Sequence, residues 1–100
     1  MTNIAMGAPS ALHLSTMYKG IVTAAGLWQI EPAAGWIVAH KGVGQYTVTH
    51  FQKNIHYSVS LITPNGVVSN MTDIEFDVLI TDAEQQPIDA DWSFSASFVN

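Results

Sequence analysis

Apolar and polar side chains alternate along much of this chain with a period of two, the spacing of a strand with one face buried. From Asp91 to Val99, Trp92, Phe94, Ala96 and Phe98 alternate with Ser93, Ser95 and Ser97. From Asp73 to Asp82, Ile74, Phe76, Val78 and Ile80 alternate with Glu75, Asp77 and Thr81, and Leu79 is the exception. The stretch from Gly35 to Thr63 divides into three further strands, Trp36 to Lys41, Gln45 to Phe51 and His56 to Thr63. Gly42-Val43-Gly44 and Gln52-Lys53-Asn54-Ile55 separate them. No segment carries a helical period that competes with this pattern.

Matching apolar faces across the short loops predicts registers. A three-residue loop with Gly44 left-handed pairs Lys41 with Gln45, and sets Val38 against Val48, His40 against Tyr46 and Trp36 against His50. A four-residue loop pairs Phe51 with His56 and sets Val48 against Val59, Tyr46 against Leu61 and His50 against Tyr57. The stretch then reads as a three-strand meander. A third hairpin around Gln85-Gln86-Pro87 pairs Ile80 with Trp92, Val78 with Phe94 and Ile74 with Phe98.

The remaining segments are less regular. Tyr18 to Trp28 reads as a strand in which Gly20 and Gly26 hint at bulges. Glu31-Pro32-Ala33-Ala34-Gly35 and Pro64-Asn65-Gly66 are turn segments. Val67 to Thr72 is a connection with room for a short strand. The expected fold is all-β: a small antiparallel β-sandwich, with a jelly-roll-like or barrel variant, of five to seven strands. Residues 1–17, rich in small side chains, are expected to form an N-terminal arm that orders against a neighbour, and residues 18–100 the sandwich domain.

Composition narrows the function classes. Charged residues make up 11% of the 100 positions, against roughly 25% in a typical domain. So few charges protect poorly against association, so a partner or an oligomer is expected. There is no Arg, Lys19, Lys41 and Lys53 are the basic residues, and the net charge is −5. This is a poor match for nucleic acid, which requires clustered cations, and for anionic membranes. There is no Cys, hence no disulfide framework or thiolate site. The N-terminus has no basic region followed by an apolar run, so it is not read as a signal peptide. No stretch approaches the ~20 apolar residues of a membrane span. The expectation is a soluble protein made in a cytoplasm, without membrane insertion.

Candidate chemistry is sparse. The histidines lack the HxH or HExxH spacing of a zinc site, and the register puts His40 and His50 on the apolar face beside Trp36, Tyr46 and Tyr57. Asp82 and Glu84 face Asp89 and Asp91 across a loop. They could hold calcium, but acidic residues are also at home beside turns. Serines alternate along strands as a solvated sheet face does, and no GxSxG elbow is present. No catalytic residue, cofactor or metal site is therefore assigned. Trp28, beside the turn at Glu31 and Pro32, is the best candidate for an exposed aromatic that stacks on a sugar. Lys53 and Asn54, in the loop after the second strand of the meander, are candidate partner contacts. Ile62 and Leu79, apolar on otherwise polar faces, are candidate subunit-interface residues.

Gly42-Val43-Gly44-Gln45-Tyr46-Thr47-Val48, then Tyr57-Ser58-Val59-Ser60-Leu61, then Phe76 to Asp82 and Pro87 to Phe94, resemble small β-sandwich domains of bacteriophage virion proteins. These occur especially at the C-terminal ends of tail fibres and related appendages. The resemblance covers about Ile37 to Val99 and carries no catalytic motif. It implies a non-enzymatic, homotrimeric structural protein located in the virion and assembled in the host cytoplasm. Other virion proteins, and a host cell-surface glycan as receptor, are its expected partners. A capsid decoration protein is equally compatible with it, and a lectin-like carbohydrate-binding module is the alternative.

Overall fold

The computed structural model describes residues 15–63 and 65–99 of the chain. Eight strands run in the order β1 (Ser15–Val22), β2 (Trp28–Ile30), β3 (Ile37–Gly42), β4 (Gln45–Thr49), β5 (Tyr57–Leu61), β6 (Gly66–Ser69), β7 (Glu75–Ile80) and β8 (Trp92–Val99). They form two four-stranded antiparallel sheets, β2-β1-β8-β5 and β3-β4-β7-β6, packed face to face as a small sandwich. The strand count exceeds the expected five to seven because β2 and β6 are short pieces that alternation alone does not resolve. β1 begins at Ser15, so Ser15, Thr16 and Met17 belong to the sheet and not to an arm. The rest of the expected arm lies outside the described residues.

The inward faces follow the alternation. Trp92, Phe94, Ala96 and Phe98 from β8 meet Tyr46 and Val48 from β4 and Phe76, Val78 and Ile80 from β7, all buried. Phe76 meets Phe94 edge-on across the core at 5.5 Å, and Tyr46 meets Trp92 at 5.3 Å. Each fully buried apolar side chain of this size contributes about 1.5–3 kcal/mol, so these layers dominate stability. Gly20 is part of the same fit. A Cβ there would come within 2.6 Å of the Phe94 ring and 2.9 Å of the Trp28 ring.

One expected register is observed and two are corrected. In the β3–β4 hairpin Val38 pairs with Val48 and His40 with Tyr46, as expected. The irregularity falls between His40 and Gly42, so Gly42, not Lys41, pairs with Gln45 around the turn Val43-Gly44. Gly44 is left-handed at φ 68°, and a Cβ there would collide with the carbonyl of Ile80. The other two pairings are across the core, not within a sheet. β5 leaves β4 and pairs with β8 in the opposite sheet, Val59 with Ala96 and Tyr57 with Phe98. β7 pairs with β4 and β6, whereas β8 pairs with β1 and β5. The reason is geometric: a strand buries the same alternate residues from either layer of a sandwich, so face matching cannot choose between them. His50 and Tyr57 do meet, with ring centroids 4.8 Å apart, but as residues of facing layers.

Candidate functional site

The crossing from one sheet to the other builds the most distinctive surface of the molecule. Residues 50–56 carry the chain from β4 to β5, and two non-glycine residues there are left-handed, Phe51 at φ 61° and Lys53 at φ 54°. Each such residue costs roughly 1–2 kcal/mol, so the surroundings must hold it. The amides of His50 and Phe51 both donate to the Ile74 carbonyl, at 2.7 and 3.2 Å. The Gln52 amide donates to His50 Nδ1 at 3.0 Å, and the Gln52 side chain donates to the His50 carbonyl at 3.3 Å. The Asn54 amide donates to the Asp73 carbonyl, its Nδ2 donates to the Val99 carbonyl at 3.0 Å, and its Oδ1 accepts from the His56 amide at 2.8 Å. The Val99 amide closes the set by donating to the His56 carbonyl.

Those bonds fix the backbone while the side chains face solvent. Phe51 is 53% exposed and Ile55 66%, and Lys53 is exposed between them. Phe51 is the only aromatic among the large exposed apolar residues of the described chain. The loop thus offers an aromatic ring, an aliphatic side chain and an ammonium group on a pre-set backbone, the composition of a contact surface. Asn54 is a clasp within this loop, its amide and both side-chain polar atoms engaged, while Lys53 is free to reach outward.

Behind the loop lies His50, 2% exposed among Trp36, Tyr57, Phe76 and Phe98. Because Nδ1 accepts the Gln52 amide, the neutral ring carries its proton on Nε2. That atom has no hydrogen-bond partner among the described residues. Burial pushes the His50 pKa down, and the opposing charge of Asp73 offsets only part of that desolvation. The neighbouring Tyr57 hydroxyl donates to the carbonyls of Thr72 and Glu75. Burial, followed by the charges of Asp73 and Glu75, pushes it up to about 12. Both groups serve as neutral supports of the loop.

At the opposite end His40 is not a core residue. It stacks on Tyr46 at 4.9 Å and its Nε2 lies 2.9 Å from Asp89 Oδ1. The Gly44 amide also donates to that oxygen, and together with His40 it holds the Asp89 carboxyl below its ordinary value. Three of the acidic residues considered for calcium, Asp82, Asp89 and Asp91, accept from backbone amides. Asp82 Oδ1 accepts from Glu84 and Gln86, and Asp91 Oδ1 from Ala24. Among the described residues no three His, Asp or Glu converge as a metal site requires.

The other expected contact residues are dispersed. Trp28 is half-buried: its ring packs on Phe94 and its Nε1 donates to the Trp36 carbonyl at 3.1 Å. Ile62, 59% exposed, lines a shallow depression of about 330 Å³ with Ile21, Ile30 and Lys19 outside the first sheet. Leu79 lies outside the other sheet, half-buried between Gln45 and Val67, on the edge of a polar groove of about 280 Å³. In that groove Asp77 accepts from Thr47 at 2.7 Å and from Asn70 at 2.9 Å. Phe51 and Ile55 are exposed apolar residues that sequence reasoning passes over as candidate contacts. Their signal is that both break the alternation beside a loop. Compared with protein-family models, curated proteins and solved structures, the chain shows no match to any of them.

Proposed function

We propose that this chain is a non-enzymatic structural and recognition module of a bacteriophage virion, a trimeric part of a tail fibre, other appendage or capsid surface. In this reading the 51–56 loop meets the partner, either another virion protein or a host receptor. The observation that carries it is the pairing of backbone strain with side-chain exposure. Two left-handed non-glycine residues, Phe51 and Lys53, are held by a dense set of hydrogen bonds, yet their side chains and that of Ile55 are exposed. Strain kept at an exposed site is consistent with a pre-organised contact, because an ordered loop loses little entropy on binding. The virion context rests on the resemblance of the strand and turn sequences.

The test is a variant that keeps the backbone and removes the contact. Asn tolerates left-handed backbone, so Phe51→Asn with Ile55→Ser is expected to fold with unchanged stability. Wild-type protein is expected to co-sediment with virus particles or with bacterial envelopes, and the variant to lose most of that binding. Equal binding by the two proteins would refute the loop assignment. A second reading, carbohydrate binding, draws on the groove with Lys41, Gln45, Thr47, Asn70 and Asp77, whose donors and acceptors suit a hydroxyl-rich ligand. A glycan-array signal that disappears in Asp77→Asn would favour it.

A further inference from the structure

The outer face of the β2-β1-β8-β5 sheet differs chemically from the rest of the surface. The chain carries eight acidic residues, and none lies on β1, β2, β5 or β8. Glu75 and Asp77 lie on the outer face of the other sheet, and the remaining six lie in loops. The register lays out the acid-free face row by row. Ser58 pairs with Ser97 and then Met17, Ser60 with Ser95 and then Lys19, and Ser93 with Ile21. Ile62 joins the last row through its amide, which donates to the Ser93 carbonyl, and Ile30 joins it by pairing with Ile21. The result is a flat field of short hydroxyl side chains, bounded at one end by three isoleucines around the depression of about 330 Å³. Asp91, the carboxylate that lines a neighbouring hollow with Ile21 and Ile62, is held by the Ala24 amide at the rim.

We infer that this face is where copies of this chain meet. The inference rests on the oligomeric reading above and names its surface. A chain of net charge −5 repels its own copies wherever carboxylates face each other. The acid-free face is the broad surface whose strands bring no carboxylate to such a contact, with Asp91 only at its rim. Leu79 belongs to the opposite face with Glu75 and Asp77, so Ile62 marks the interface and Leu79 does not. Serine hydroxyls donate and accept, so identical rows can bond to one another, and their small size lets sheets approach closely. Strands of three, eight, eight and five residues, at about 3.3 Å per residue and about 4.7 Å per strand, give a face of about 370 Å². Three such faces turned toward a common axis give each pair of copies a contact smaller than a standard stable interface, so the association is expected to depend on concentration. β8 lies inside the sheet, so its three serines run along that axis. Lys19, one strand off centre, has the reach to keep its ammonium in solvent at the edge.

The experiment places a charge at the centre of this face and, as a control, on the other. Ser95→Glu buries an unpaired carboxylate in the contact and is expected to weaken association by at least about tenfold in analytical ultracentrifugation. Gln45→Glu is expected to leave it unchanged. Thermal unfolding of both variants checks that they fold. In the cysteine-free background, Ser95→Cys is expected to cross-link copies on mild oxidation and Gln45→Cys is not. An oligomer that survives Ser95→Glu, with no cross-link through Ser95→Cys, overturns the face while leaving the oligomeric reading intact. A wild-type monomer at high micromolar concentration overturns the oligomeric reading, and this inference with it.

Discussion

At His50 a single backbone contact decides the chemistry of a side chain. The Gln52 amide takes Nδ1 as its acceptor, which places the proton on Nε2 and points it into rings. The imidazole is therefore built in as a neutral group. Its folded pKa is lowered, and the sign of the consequence follows. As pH falls below about 6.5 the unfolded chain takes up a proton at this residue while the folded chain does not. The contribution is full above that value and is lost as pH falls toward the depressed folded pKa. Thermal unfolding of the wild type is expected to show a melting temperature that declines from pH 7 to pH 5. His50→Phe is expected to show a shallower decline over the same range. Identical slopes would mean that His50 is not the group responsible. The burial of His50 is legible in the alternation of Tyr46, Val48 and His50. Its tautomer is not, because that depends on a loop whose path comes from the tertiary fold.

Among the elements, β5 shows how far a strand pattern reaches. Tyr57, Val59 and Leu61 announce an inward face, and they are inward. Which sheet they join is decided elsewhere, by the left-handed residues Phe51 and Lys53 and by the ties from Asn54 to Val99 and His56. Asn54→Ala removes the partners of the Val99 carbonyl and the His56 amide. It is expected to cost about 1–2 kcal/mol in urea unfolding, the price of two modest hydrogen bonds. Faster amide hydrogen exchange at His56 and Val99 should accompany the loss, since this end of the β5–β8 pair would fray. Unchanged exchange would show that β5 is held by its core side chains alone. The same logic explains β7 and β8, where correct faces came with the wrong partner. Phe76 and Phe94 touch because they look at each other across the sandwich.

For the whole molecule, the division of charge between the two outer faces matters more than any single pair. Eight acidic residues against three lysines leave like-charge repulsion as the main opposition to self-association. Screening shortens from about 30 Å at 0.01 M salt to about 3 Å at 1 M, so added salt should strengthen association through an uncharged face. Sedimentation equilibrium at low and high sodium chloride is expected to show a larger oligomer fraction at high salt. A decrease would indicate an interface held by ion pairs and would point to the face with Glu75, Asp77 and Lys41.

By itself the sequence determined the fold class, the inward residues of β4, β7 and β8, and the hairpin register from Val38 to Tyr46. Each of these follows from local periodicity or from a turn that only glycine accommodates. The tertiary structure decided the pairing of β5 and β8, the exposure of Phe51 and Ile55, and the gathering of the serines of β5 and β8 onto one acid-free face. The physical reason is that burial is indifferent to which layer supplies it. Partner choice depends on loop geometry and on hydrogen bonds between residues far apart in the chain, and no local pattern records them.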